Sequence, residues 1–109
     1  MKKLSGVIGN ALLNAYILYS CNGKWESGYA IMNSGKKALL TTWSAGSFYP
    51  IMKSLMSHGM LTKRKAGGQR VKYEYRTTAE GRKYLALVAG YMQNPITRTF
   101  MRALLADDF

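Results

Sequence analysis

Apolar residues recur at steps of three and four through Val7, Ile8, Ala11, Leu12, Ala15, Leu18 and Tyr19, the spacing of one helical face. Gly9, Asn10 and Asn14 fall elsewhere, and Asn22-Gly23 predicts the stop. The apolar coverage is broad, so this helix is expected to lie between its own core and a second chain. Ser27 can cap a short second helix over 28–33, with Tyr29, Ile31 and Met32 as contacts and Ser34-Gly35 as its end. Between Lys36 and Trp43 no period is clear, and the stretch reads as a third short helix or a turn.

Phe48, Ile51, Met52, Leu55 and Met56 form one stripe, with Ser47, Lys53, Ser54 and Ser57 off it, which predicts a helix over 46–57. Proline is accepted in a first turn because the amide it lacks would have no partner there. Pro50 therefore places the regular start near Ser47, after a tight turn capped by Ser44. His58-Gly59 closes the helix. Residues 60–65 and 71–77 are strand-like. In the second, Val71, Tyr73 and Tyr75 alternate with Lys72, Glu74 and Arg76, as in a half-buried strand with one wet face. Residues 66–70, with Gly67-Gly68, make the hairpin connection. Thr78 caps a helix to about Gln93, whose Tyr84, Leu85, Leu87, Val88, Tyr91 and Met92 exceed what one small domain can cover. Asn94-Pro95 breaks it, and a last amphipathic segment carries Phe100, Met101, Leu104 and Leu105 before Asp107-Asp108.

A helix followed by a positively charged hairpin is the layout of a winged helix. The expected class is α+β, mostly helical: a winged helix-turn-helix with a two-stranded wing and terminal dimerisation helices. At 109 residues the chain makes one compact unit. Within it, 1–77 is read as the winged-helix part with its N-terminal helix, and 78–109 as the C-terminal dimerisation helices.

Charge narrows the choice of partner. Sixteen Lys and Arg stand against five Asp and Glu, a net +11. Residues 53–83 hold nine of those bases and two glutamates, a net +7 concentrated on the hairpin. Such an excess implies a polyanionic partner, nucleic acid or an anionic membrane surface. A hydrophobic fraction of 48% argues against disorder. Cys21 is the single cysteine and there is one histidine, so neither an intrachain disulfide nor a zinc site is expected, and a reducing cytoplasm is. Met1-Lys2-Lys3-Leu4 mimics the head of a signal peptide. Asn10 and Asn14 interrupt the apolar run that follows, and it is too short to span a bilayer, so a buried helix is expected and no membrane partner.

Three stretches resemble the PadR family of winged-helix transcriptional regulators. Ser27-Gly28-Tyr29-Ala30-Ile31 is similar to the family's Ser-Gly-Tyr-Glu-Leu/Ile opening of its second helix. Gly46-Ser47-Phe48-Tyr49-Pro50 resembles its Gly-Ser/Thr-Ile/Leu-Tyr-Pro recognition-helix start, the most specific of the three. Tyr75-Arg76-Thr77-Thr78-Ala79-Glu80-Gly81-Arg82 resembles its Tyr-Arg-Leu-Thr-Pro-x-Gly-Arg exit from the wing. The likeness runs from about residue 10 to 92. Thr77 stands where the family usually has an apolar residue, and Glu74 where a second tyrosine is common. The tail after Pro95 matches no one branch.

The resemblance implies double-stranded DNA as partner. At the start of the recognition helix, free amides, short hydroxyls and the helix dipole suit a phosphate, which makes Ser44, Ser47 and Tyr49 candidate contacts; the plain alternative is that both serines only cap. Lys53, further along the exposed face, can meet a phosphate or a guanine edge, or stay solvated. The wing offers Lys63, Arg64, Lys65, Gln69, Arg70 and Lys72. Alternation sends Lys63 and Lys65 to one face and Arg64 to the other, so not all touch DNA together. Leu12, Tyr16, Tyr84, Leu87, Val88 and Tyr91 are the expected dimer contacts. Trp25, Trp43, Tyr16, Tyr19, Tyr84 and Tyr91 have two readings: core and dimer packing, or a pocket for a small aromatic effector between subunits. His58 reads as a helix-end residue. No catalytic constellation, metal or cofactor is expected.

The functional expectation is a sequence-specific transcriptional regulator, a repressor in a prokaryotic cytoplasm and associated with the nucleoid, binding an inverted-repeat operator as a homodimer. The alternatives are a winged-helix protein-interaction module, an effector sensor without strong sequence specificity, and a membrane-surface protein inserting its first helix.

Overall fold

Three helices meet at the residues most completely removed from solvent: Ile17, Leu18 and Cys21 on the first, Ile31 on the second, Phe48 and Met52 on the third. Leu61 and Tyr75 of the sheet close the same core. The computed structural model describes residues 2–39, 43–68 and 72–108. In chain order the elements are α1 (Lys2–Ser20), β1 (Glu26–Ser27), α2 (Gly28–Leu39), α3 (Ala45–Ser57), β2 (Leu61–Ala66), β3 (Lys72–Thr77), α4 (Ala79–Met92) and α5 (Pro95–Ala106). The sheet is antiparallel with order β1-β3-β2, and β2 and β3 form the wing. This is the expected winged-helix fold, with one strand more than expected. β1 is two residues long and exists through its pairing with β3, Glu26 opposite Tyr75 and Ser27 opposite Glu74.

α2 begins as expected, with the Ser27 hydroxyl accepting the Ala30 amide at 3.1 Å. It does not stop at Ser34-Gly35 but runs on to Leu39, taking in the first part of the stretch read as a separate element, whose residues 40–42 lie outside the described residues. Gly35 is a packing residue rather than a stop. A β-carbon there would collide with the Trp43 ring, whose Cη2 would lie 3.0 Å away. Trp43 itself is a core residue: its indole N–H donates to the Met32 carbonyl at 2.9 Å and its ring meets Phe48 edge-on at 4.9 Å.

α3 starts at Ala45, earlier than Pro50 suggested, so the proline stands inside the helix. The first turn closes upstream of it. The amides of Ser47 and Phe48 bond to the Ser44 carbonyl at 3.1 and 2.8 Å, and the Ser44 amide donates to Ser47 Oγ at 2.9 Å. Pro50 then removes only the bond that would reach the carbonyl of exposed Gly46. At the other end Gly59 takes φ 72°, while its amide bonds to Met56 and the Met60 amide to Leu55, both at 3.0 Å. That double closure needs a left-handed residue, which favours glycine.

Thr77 shows how the wing is seated. It is 2% exposed, and its hydroxyl donates to the Leu18 carbonyl at 2.6 Å and lies 3.4 Å from Cys21 Sγ. Its amide donates to the Cys21 carbonyl at 3.1 Å. The departure from an apolar residue therefore ties the end of the wing to the end of α1. Thr78 then caps α4, accepting the Gly81 amide at 3.1 Å and donating to the Gly59 carbonyl at 2.5 Å. Gly81 lies directly against the Met60 carbonyl, where no side chain would fit.

α4 packs along α1, and α5, capped by Asn94, leans on α4. No residue of α5 is buried. Leu87, Tyr91, Ile96, Phe100 and Leu105 are between 55% and 86% exposed, so the apolar surplus expected of the last helices is present. Among the described residues no helix is long and apolar enough to cross a membrane.

Candidate nucleic-acid interface

The register of the wing decides which cations share a surface. Lys63 pairs with Tyr75 and Lys65 with Tyr73, so these four side chains project from one face. Lys63 Nζ sits 4.4 Å from the centre of the Tyr73 ring. Thr62, Arg64, Ala66, Lys72, Glu74 and Arg76 belong to the other face by the same register. The lysine-bearing face turns toward the start of α3: Tyr49, Lys63, Tyr73 and Tyr75 together line a hollow of about 730 Å³, and Lys72, the first residue of β3, borders it.

Gly28 makes this hollow possible. A β-carbon there would come within 2.9 Å of the Tyr49 hydroxyl and 3.2 Å of Tyr75 Cε2, so its absence lets both rings close over the start of α2. Burial, and then the neighbouring phenols of Tyr49 and Tyr73, push the Tyr75 pKa up, which keeps it a neutral donor. The formal charge at the hollow comes from Lys63 and Lys72.

Along α3, Tyr49 is 40% exposed, and Lys53, four residues on, occupies the same helical face one turn further. Ser44 and Ser47 are exposed at the helix start. The Ser47 hydroxyl is engaged by its own turn, accepting from the Ser44 amide at 2.9 Å and donating to the Ser44 carbonyl at 3.1 Å. A phosphate would compete with those two bonds.

Arg64 stands apart from the other wing cations. Its Nη2 and Nε lie 2.9 and 3.0 Å from Glu74 Oε1, and its guanidinium stacks 4.4 Å from the centre of the Trp25 ring. Gln69 and Arg70 lie outside the described residues. The structure therefore brings Tyr49 and Lys63 to one hollow, with Lys53 a turn along from Tyr49 and Lys65 on the Lys63 face of the wing. Arg64 is turned away, and Lys72 shares its face by register although it borders the hollow. Gly28, Tyr73 and Tyr75 were absent from the sequence-derived site because each reads locally as a cap or a strand residue. The cross-strand register would have paired the tyrosines with the lysines.

Of the expected dimer contacts, Leu12, Leu87 and Tyr91 are exposed, while Tyr16, Tyr84 and Val88 are half-buried, with Tyr84 packed partly on the chain's own core. The six rings considered for an effector do not converge within the chain. Trp43 is in the core, Trp25 lies under Arg64, and Tyr16 and Tyr19 face each other at 6.0 Å beside a hollow of about 280 Å³. His58 closes α3 as expected, with Nδ1 2.7 Å from the Ser54 carbonyl.

The model of the PadR-like transcriptional regulator family matches residues 17–87, a stretch that holds α2, α3 and the whole wing. The chain belongs to that family. Among solved structures, a PadR family regulator from Eggerthella lenta shares 26% identity at a TM-score of 0.70, over 93% of this chain and 89% of that one. A PadR family regulator from Clostridium difficile, 18% identical, has the same fold at a TM-score of 0.68 over 85% of this chain and 97% of its own. Bacillus subtilis PadR, solved in complex with operator DNA, is 32% identical at a TM-score of 0.58. That match covers 69% of this chain and 44% of that one, so the shared part is less than half of the Bacillus protein. Among curated proteins there is no sequence match. Tyr49 and the wing lysines of this PadR-family chain all stand within the matched residues.

Proposed function

We propose that this PadR-family regulator binds double-stranded DNA as a homodimer in the cytoplasm and represses transcription by occupying an inverted-repeat operator. The observation that carries the reading is the hollow that Tyr49 of α3 shares with Lys63 of the wing, bordered by Lys72, with Lys53 one helical turn from Tyr49 and Lys65 on the Lys63 face. The operator complex of Bacillus PadR, a 32% identical relative, supports the same partner. α3 would enter the major groove, with Lys53 at base edges, while the wing lysines meet flanking phosphates. α1 and α4 supply the apolar surface of the dimer through Leu12, Tyr16, Leu87, Val88 and Tyr91, which sets the two α3 helices about one turn of duplex apart.

Three wing lysines per chain make six per dimer. If each neutralises a phosphate, log affinity falls with log salt at a slope of about −5. Fluorescence anisotropy with duplexes selected from random sequence, across a salt series, measures it. A slope near zero, or no preference among duplexes, rejects the proposal. Lys53→Ala should change which duplex is preferred, whereas Lys63→Ala should weaken all of them alike.

A further inference from the structure

We infer that Trp25 is a positioning residue for the wing, acting through Arg64 and Glu74 on the face opposite Lys63 and Lys65. The inference rests on the DNA-binding reading above and assigns to three further residues a part that none of them plays by touching DNA. Arg64 and Glu74 are direct partners across the hairpin, and Glu74 is in turn the partner of Ser27 on β1. Trp25 directly precedes β1. The guanidinium of Arg64 is held edge-on by one oxygen of Glu74, at 2.9 and 3.0 Å, and face-on by the Trp25 ring at 4.4 Å. Arg76, one register step from Glu74, has its guanidinium 6.0 Å from the same ring.

β2 is an edge strand whose ladder joins it to β3 alone. Backbone pairing fixes its register but leaves the hairpin free to twist and sway as a unit, as two-stranded ribbons do. The brace adds a side-chain link from the β1 side of the sheet, across β3, to the middle of β2. Arginine suits this task because its planar fork satisfies a carboxylate along one edge while its face stays available to an aromatic ring. With the brace intact, Lys63 and Lys65 on the reverse face are held at a set angle to α3, so less order is lost on binding.

The consequence differs in sign from that of a phosphate contact. Glu74→Ala removes a negative charge from a surface that binds a polyanion, which by charge alone would tighten binding. As part of a brace its loss weakens binding. The test measures affinity and salt slope for the intact protein and for Trp25→Ala, Trp25→Tyr, Arg64→Ala, Glu74→Ala, the double variant Trp25→Ala/Arg64→Ala, and Lys63→Ala as a contact reference. Trp25→Ala, Arg64→Ala and Glu74→Ala are each expected to lower affinity about fivefold per wing, the scale of one exposed cation–π contact, at an unchanged slope. The double variant should be no worse than either single one, and Trp25→Tyr should retain most of the affinity. Lys63→Ala should instead reduce the slope by about 2 per dimer.

Hydrogen exchange should rise in β2 and β3 of Trp25→Ala while the helices keep their protection. If that variant does not fold, the exposed Arg64 and Glu74 variants carry the same test. Tighter binding by Glu74→Ala, a slope lost with Arg64, or full additivity of the double variant overturns the brace and leaves the DNA reading intact. No duplex binding by the unmodified protein would sink that reading instead.

Discussion

Thr77→Val sets two contributions against each other at one buried position. The two side chains have nearly the same shape, so packing under the wing is preserved and a hydroxyl is exchanged for a methyl. What is lost is the bond to the Leu18 carbonyl, 2.6 Å long and fully buried. In a longer helix that carbonyl would take the amide of residue 22, but the Asn22 amide goes to Tyr19 at 3.3 Å. Valine thus leaves a buried acceptor without a donor, which costs about 1–3 kcal/mol. The added methyl returns about 0.8 kcal/mol. The net expectation is a loss of about 0.5–2 kcal/mol, a fall in Tm of about 2–10 °C for a chain of this size. Urea unfolding at fixed protein concentration measures it, the concentration being held because a dimer's stability depends on it. Thr77→Ser keeps the donor and is expected to lose only the methyl that lies beside Gly81, about 1 kcal/mol. Since the family usually carries an apolar residue here, the family preference and the local geometry point in opposite directions. A Thr77→Val protein as stable as the original would refute the geometric argument.

Two further outcomes follow from the surface and the core. Leu87 is 55% exposed, so Leu87→Glu should leave the fold intact, shift sedimentation velocity toward monomer and reduce operator affinity more than tenfold through loss of the second α3; an undisturbed dimer would place the interface elsewhere. Burial, the larger effect, raises the Cys21 pKa even though the Thr77 hydroxyl opposes it. A raised folded-state pKa means the folded chain holds its proton longer, so stability is complete below the thiol's unfolded value of about 8.5 and declines as pH climbs above it. Cys21→Ala should flatten that alkaline decline in unfolding curves taken between neutral and mildly alkaline pH, and an unchanged profile would remove the thiol from the account.

The elements that were legible in the chain are those whose evidence is local. The Phe48, Met52 and Leu55 stripe and the Tyr73 and Tyr75 alternation repeat within a few residues, and both survive in α3 and β3. The misreadings share a cause. Gly35 looked like a stop because its partner, the Trp43 ring, is eight residues away and reached only through the fold. Pro50 set the regular start of α3 near Ser47, two residues late, because the first turn is closed by bonds to Ser44 upstream of it. β1 has no period of its own, since two residues become a strand only beside β3. At the interface, alternation already separated Arg64 from Lys63 and Lys65. What Arg64 does instead depended on Trp25, thirty-nine positions earlier, which no spacing along the chain connects to it.

The junction where Gly81 rests on Met60 and Thr78 reaches Gly59 acts as a fulcrum. α4 is 14 residues long, about 21 Å of stiff rod, fixed there at its start and packed along α1. A tilt of about five degrees at that pin displaces the far end by roughly 2 Å, the scale of helix shifts that repack subunit contacts. Because the pin also touches the turn closing α3, a change of angle there would, in the proposed dimer, be shared with the helix proposed to face the duplex. In that reading an angle at a glycine would set the spacing of the two α3 helices.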